Sequence, residues 1–129
     1  EQVISDFRRI FFNEELLTFA DFNREHARCL AFLKEAVSSS NARKKIVVTH
    51  HVPSFQMQCP KFADSLANGA FTVELEDYIK DSGIDFWIYG HSHYNADVRI
   101  GNTMCISNQL GYVFHGEHES FDPCKNIEV

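Results

Sequence analysis

The sequence predicts an α/β fold on three observations: a helical apolar period over residues 18–37, two short strand-like runs that each end in histidines, and a helical segment between those runs. At 129 residues the chain is long enough for one domain with a modest core.

The first element is the helix. Phe19, Phe22, His26, Leu30, Leu33 and Val37 recur at steps of three and four, which gathers them on one face of a helix over residues 18–37, and Asp21 and Glu25 suit its early turns. Ser38, Ser39, Ser40 and Asn41 then mark a loop. Residues 45–49 are short, β-branched and bounded by a basic cluster and by histidines, and predict a buried strand. Residues 52–70 carry Pro53, Pro60 and Gly69 without a sustained period and predict a long loop, a type of segment that often carries function. A second helix is expected over residues 71–82, with Val73, Tyr78 and Ile79 inward and Gly83 ending it.

Residues 85–89 predict another strand. Strand, helix and strand in succession make a right-handed βαβ unit with parallel strands, so His50 and His91 should emerge at corresponding strand ends. Residues 96–100 and 103–107 flank Gly101 and Asn102, a two-residue hairpin turn, and continue the sheet antiparallel. From Gly111 onward, aromatics and the charged run around Glu117 and Glu119 predict only partial structure.

Composition narrows the partners. The net charge of −6 argues against a grip on polymeric nucleic acid, which relies on clustered cations neutralising phosphates. No apolar run approaches the length of a membrane span and no secretory leader is present. Cys29, Cys59, Cys105 and Cys124 form neither a CxxC pair nor a dense framework, so free thiols in a reducing, cytoplasmic setting are expected. Twelve phenylalanines in so short a chain suit a piece that packs against further sequence, and self-association or pairing with an N-terminal half is expected. The chain opens on Glu1 rather than methionine, which suggests a cut or processed start within a longer parent.

The chemistry concentrates in Val47-Val48-Thr49-His50-His51 and Gly90-His91-Ser92-His93, each just past the C-terminal end of an expected strand, where open α/β sheets tend to bind ligands. Neutral imidazole is the commonest nitrogen ligand for zinc, manganese or iron, so His50, His91 and His93 are the candidate metal ligands. A lone histidine is more often a surface or satisfied core residue, and His26 and His118 are read that way. His51 would leave the opposite face from His50 if the strand pleat persists. It then either orients a ligand or faces substrate, or simply packs. Cys59 is read as a free thiol without function.

The Thr49-His50-His51-Val52-Pro53 and Gly90-His91-Ser92-His93 elements resemble the last two metal motifs of calcineurin-like metallophosphoesterases. Ser107-Asn108 and Gly111-Tyr112 look similar to that family's following strand and loop, and Asn108 joins His51 as a residue expected beside the metals or facing substrate. The resemblance implies hydrolysis of a phosphate mono- or diester through two metal ions (Mn, Fe or Zn), with His50 and His91 on one ion and His93 on the other. It also implies a two-sheet β-sandwich flanked by helices (αββα), of which this chain would be the C-terminal half.

The family's Asp-x-His, Gly-Asp-x-x-Asp and Gly-Asn-His elements do not occur in the sequence. They supply the bridging carboxylate and catalytic histidine, so no catalytic residue is assigned here, and little activity is expected of the chain alone. Two alternatives stay open: a mononuclear zinc hydrolase on a three-histidine site, and a noncatalytic interaction module on the same fold.

Overall fold

A computed structural model describes residues 4–128; the expectation about Glu1 lies outside them. Two compact units divide the chain, Glu1–Asn41 and Ala42–Val129.

In the first unit, strands β1 (Phe11–Phe12) and β2 (Glu15–Leu16) form a small antiparallel hairpin. Asn13 and Glu14 between them both have positive φ, 51° and 70°, as a type I′ turn requires. Sequence patterning gave no sign of it, because the strands are two residues long and the turn lacks glycine. Helix α1 (Phe19–Ser39) covers the expected span. Its start is a capping box: Thr18 Oγ1 accepts from the Asp21 amide at 3.2 Å, and the Asp21 carboxylate accepts from the Thr18 amide at 3.1 Å. Asp21 therefore caps the helix, a more specific role than balancing its dipole. Phe19, expected on the inward face, is exposed.

The second unit is built on a four-stranded mixed sheet of β3 (Ile46–Val48), β4 (Phe86–Ile88), β5 (Val98–Ile100) and β6 (Thr103–Ile106), in the order β3-β4-β6-β5. This is the α/β class that the sequence predicts. β3 and β4 run parallel with Val48 opposite Ile88, as expected.

The hairpin departs from expectation in its placement. β5 and β6 do pair antiparallel across Gly101-Asn102, but β6 lies against β4, and parallel to it, while β5 takes the edge. Burial explains the order. Thr103, Cys105 and Ile106 on β6 are buried, which suits an interior strand, whereas Arg99 on β5 is exposed. Val47, Trp87 and Cys105 face one another across three strands and are all buried, with Tyr78 of helix α2 (Glu76–Asp81) edge-on to Trp87.

Helix α2 is shorter than the predicted 71–82. Residues 71–75 stay outside the helix instead, because Thr72 bridges Val52 in parallel and the Val73 and Leu75 amides donate to the carbonyls of Val52 and Pro53. The β-branched pair Thr72 and Val73 favours that state. Glu74 then starts the helix by accepting from the Glu76 amide at 2.9 Å. Gly83 ends it in the left-handed conformation, as expected.

The loop expected over residues 52–70 is ordered by three 3-10 turns, Phe55–Met57, Pro60–Phe62 and Asn68–Ala70, with Val52 and Met57 fully buried. The tail is likewise more ordered than the sequence suggests. It forms 3-10 turns at Val113–His115 and Glu117–Ser120 on either side of Gly116, and is tied back by Lys125, whose Nζ donates to Asp97 and to the Ser107 carbonyl. All four cysteines are free. Among the described residues no helix is long and apolar enough to cross a membrane.

Candidate metal site

The parallel pairing of β3 and β4 continues past both strands. The Thr49 amide donates to the Ile88 carbonyl at 2.9 Å, and the Gly90 amide donates to the His50 carbonyl at 3.1 Å. This ladder carries the two histidine segments out side by side. His91 then turns to φ 71°, a left-handed conformation uncommon for a side-chain-bearing residue, and His93 does the same at φ 50°. Two such residues in one tetrapeptide are the kind of backbone strain that gathers at functional sites.

The turn brings His91 Nδ1 to 2.8 Å from His50 Nε2. Phe71 lies against the His91 ring, with centroids 4.5 Å apart. The His51 ring sits 4.6 Å from that of His91 and 5.4 Å from that of His50, so the pleat does not carry His51 away from the pair. The reason is local. Thr49 leaves the strand, and its hydroxyl donates to the His51 carbonyl at 3.0 Å, which curls the chain. The same hydroxyl accepts from the buried Trp87 indole N–H at 2.9 Å, so the histidine loop is pinned to the core.

His93 has separate surroundings. Its amide donates to Gln109 Oε1 at 2.8 Å, its Nδ1 lies 2.9 Å from Glu117 Oε2, and its ring stands edge-on to Tyr112. Gln109 is held in turn by Asn95, whose side chain accepts from the Gln109 amide at 2.6 Å and donates to its carbonyl at 3.0 Å. Glu117 also accepts from the Tyr112 amide at 2.6 Å. That amide, followed by the His93 ring, holds its carboxyl below the usual glutamate range, so it is ionised at neutral pH.

Asn108 is placed elsewhere. Its amide donates to the Asp122 carbonyl at 2.7 Å and its oxygen accepts from the Asp122 amide at 3.0 Å, which ties the tail to the end of β6. The next residue, Gln109, is the one that reaches the histidine loop. Gln109, Asn95 and Glu117 escaped sequence reasoning because they come together only through the tail, and none belongs to a periodic pattern or recognised motif.

The family resemblance implies metal, and the donor set can be tested against it. Two imidazole nitrogens about 2.1 Å from one ion and at right angles to each other stand roughly 3 Å apart. The His50–His91 pair, at 2.8 Å, is close to that separation and could serve as two ligands of one ion. Among the described residues, no three His, Cys, Asp or Glu side chains are grouped to hold an ion. The structure thus brings His50 and His91 together and leaves His93 in its own hydrogen-bonded setting.

Comparison with known proteins bears on the same segments. The model of the calcineurin-like phosphoesterase family matches residues 4–95, which reaches from ahead of α1 to just beyond His93. An uncharacterized protein of Acanthamoeba polyphaga mimivirus is 28% identical over 120 residues, covering 88% of this chain and 41% of that protein. The chain therefore spans about two fifths of the length of the curated relative it matches. No solved structure matches the chain.

Proposed function

Because the chain belongs to the calcineurin-like phosphoesterase family, we propose that it contributes to metal-dependent hydrolysis of a phosphate mono- or diester at a binuclear centre, with His50 and His91 on one ion and His93 on the other. The observation that carries this proposal is the 2.8 Å approach of His50 Nε2 to His91 Nδ1 at the ends of adjacent parallel strands.

Divalent ions held there would supply Lewis acidity toward a phosphoryl group. The contribution of this chain is placement. The ladder from Val48 to Gly90 fixes the spacing of the two histidine segments, and the Thr49–Trp87 hydrogen bond holds their base. The left-handed turns at His91 and His93 separate the two ligand sets.

Histidines alone make a site of high positive charge, so carboxylates are needed to hold two ions against their repulsion. We assign those carboxylates, and the catalytic histidine, to residues outside this chain, which we take to be the C-terminal part of the phosphoesterase domain. We place the protein in a reducing compartment, in keeping with its free cysteines.

The test is metal content together with hydrolysis of an aryl phosphate and a bis-aryl phosphate in manganese. The expected result is two ions per full-length protein, with turnover reduced to background by His50→Ala or His91→Ala. Residues 1–129 alone should show little turnover. One ion per protein would favour a mononuclear centre. Turnover that survives both substitutions would refute the assignment.

A further inference from the structure

We propose that Glu117 is a positioning residue for His93: its carboxylate fixes the imidazole with the proton on Nδ1 and so leaves the Nε2 lone pair as the donor toward metal. The role as a metal donor rests on the proposed function above, whereas the choice of ring proton is independent of it.

Four observations support the assignment. Glu117 Oε2 lies 2.9 Å from His93 Nδ1, and an ionised carboxylate only accepts hydrogen bonds, so the ring nitrogen facing it must be the donor. The same oxygen accepts from the Tyr112 amide at 2.6 Å, so the backbone aims the carboxylate before metal is considered. The ring cannot easily swing away, because the His93 amide is anchored on Gln109 Oε1 and the ring stands against Tyr112 with centroids 4.8 Å apart.

The fourth observation is the space left by Gly111. A Cβ at that position would lie 2.6 Å from Glu117 Cβ, 2.9 Å from Glu117 Oε2 and 3.2 Å from His93 Cβ, and the backbone there has φ +62°. Glycine at position 111 is what allows the carboxylate and the imidazole to meet. Gly116, at φ 72°, turns the chain so that Glu117 enters that space. The arrangement has the logic of the carboxylate partners that orient metal-binding histidines: the far ring nitrogen is held so that the near one is free to bind.

The experiment is ring-nitrogen NMR of the histidines in the full-length protein without metal, at a pH above the imidazole range, comparing wild type, Glu117→Ala and Glu117→Gln. The His93 signals are identified by their loss in His93→Ala. Wild type should show the proton on Nδ1. Glu117→Ala should move His93 toward the Nε2-protonated form, and Glu117→Gln should restore the wild-type pattern, because its amide oxygen still accepts. A simple loss of packing would not be rescued in this way. An unchanged His93 tautomer in Glu117→Ala would overturn the proposal.

Titration with manganese alone extends the test. Glu117→Ala should weaken binding about 10- to 100-fold, the usual effect of losing such a partner, and Glu117→Gln should recover most of it. If the tautomer responds as expected but the wild type takes up no manganese, the positioning role stands and the metal assignment of His93 falls. Should Glu117→Ala unfold the tail, Gly111→Ala gives a second route, since the added methyl pushes the carboxylate from the ring without substituting Glu117 or His93. A wild-type His93 tautomer in Gly111→Ala would count against the proposal in the same way.

Discussion

Replacing Thr49 with valine keeps the shape of the side chain and removes only its hydroxyl. Trp87 is fully buried, and its indole N–H donates to Thr49 Oγ1 at 2.9 Å, so the substitution strands a buried donor with no route to water. The cost of such an orphan is about 1–3 kcal/mol. The second bond of the hydroxyl, to the carbonyl of half-buried His51, adds little because that carbonyl lies in a loop near solvent. Trp87 is the only tryptophan, so its fluorescence reports the unfolding of this unit without interference. With a urea dependence of about 1 kcal/mol/M for a unit of this size, the midpoint should fall by roughly 1 M or more. Thr49→Ser keeps the hydroxyl and should cost only about the worth of one methyl group, near 0.8 kcal/mol. In a Trp87→Phe background, followed by circular dichroism, Thr49→Val should lose most of its effect, since no donor is left to strand. A Thr49→Val midpoint equal to wild type, or one above that of Thr49→Ser, would refute the reasoning.

Other expectations follow from the same geometry. Burial pushes the Cys105 thiol up to about 11, and the residue is fully covered, so Cys29 and Cys124 should react with a thiol reagent in the native state while Cys105 reacts only on unfolding. The Asp85 carboxyl is held below the usual range by the Lys45 amide and then by the Lys44 ammonium. Its stabilising effect is therefore present above the ordinary aspartate value of 3.8 and is lost as pH falls through the depressed one. The stability advantage of wild type over Asp85→Asn, measured by urea unfolding, should accordingly be full near neutrality and shrink in acid. Gly101→Ala places a side chain at φ +58° and within 3.2–3.3 Å of Lys80, so it should lower stability by about 1–2 kcal/mol or more, with thermal unfolding as the readout. Lys125→Met should loosen the tail, seen as faster proteolysis after residue 108, because it removes the ammonium that binds Asp97 and the Ser107 carbonyl.

The parts legible in sequence were those with a strong local signal. The span of α1, the presence of strand β3 and the glycine that ends α2 read correctly, because each follows from neighbouring residues, whereas the burial expected of β3 holds only for Val47, with Ile46 and Val48 exposed. The helix boundary at Glu76 did not, because Thr72 and Val73 are claimed by a bridge to Val52, twenty residues away. The order of β5 and β6 was hidden for a similar reason. A hairpin is a local fact, but which of its strands docks on β4 depends on which one can be buried on both sides. At the site, His50 and His91 could be paired from strand ends alone. The closeness of His51 depends on a threonine hydroxyl that breaks the pleat, and the partner of His93 arrives from the tail.

The sheet order has a consequence for synthesis on the ribosome. Strand β4 carries His91 and His93 at its end, yet its second neighbour is β6, which emerges last of the four. Until residue 106 has cleared the exit tunnel, β4 has an open flank with Trp87 uncovered by Cys105, and an exposed strand edge invites pairing with other chains. A nascent chain that stalls just after the histidine loop would thus hold every candidate ligand from this segment and still lack the strand that keeps them in place.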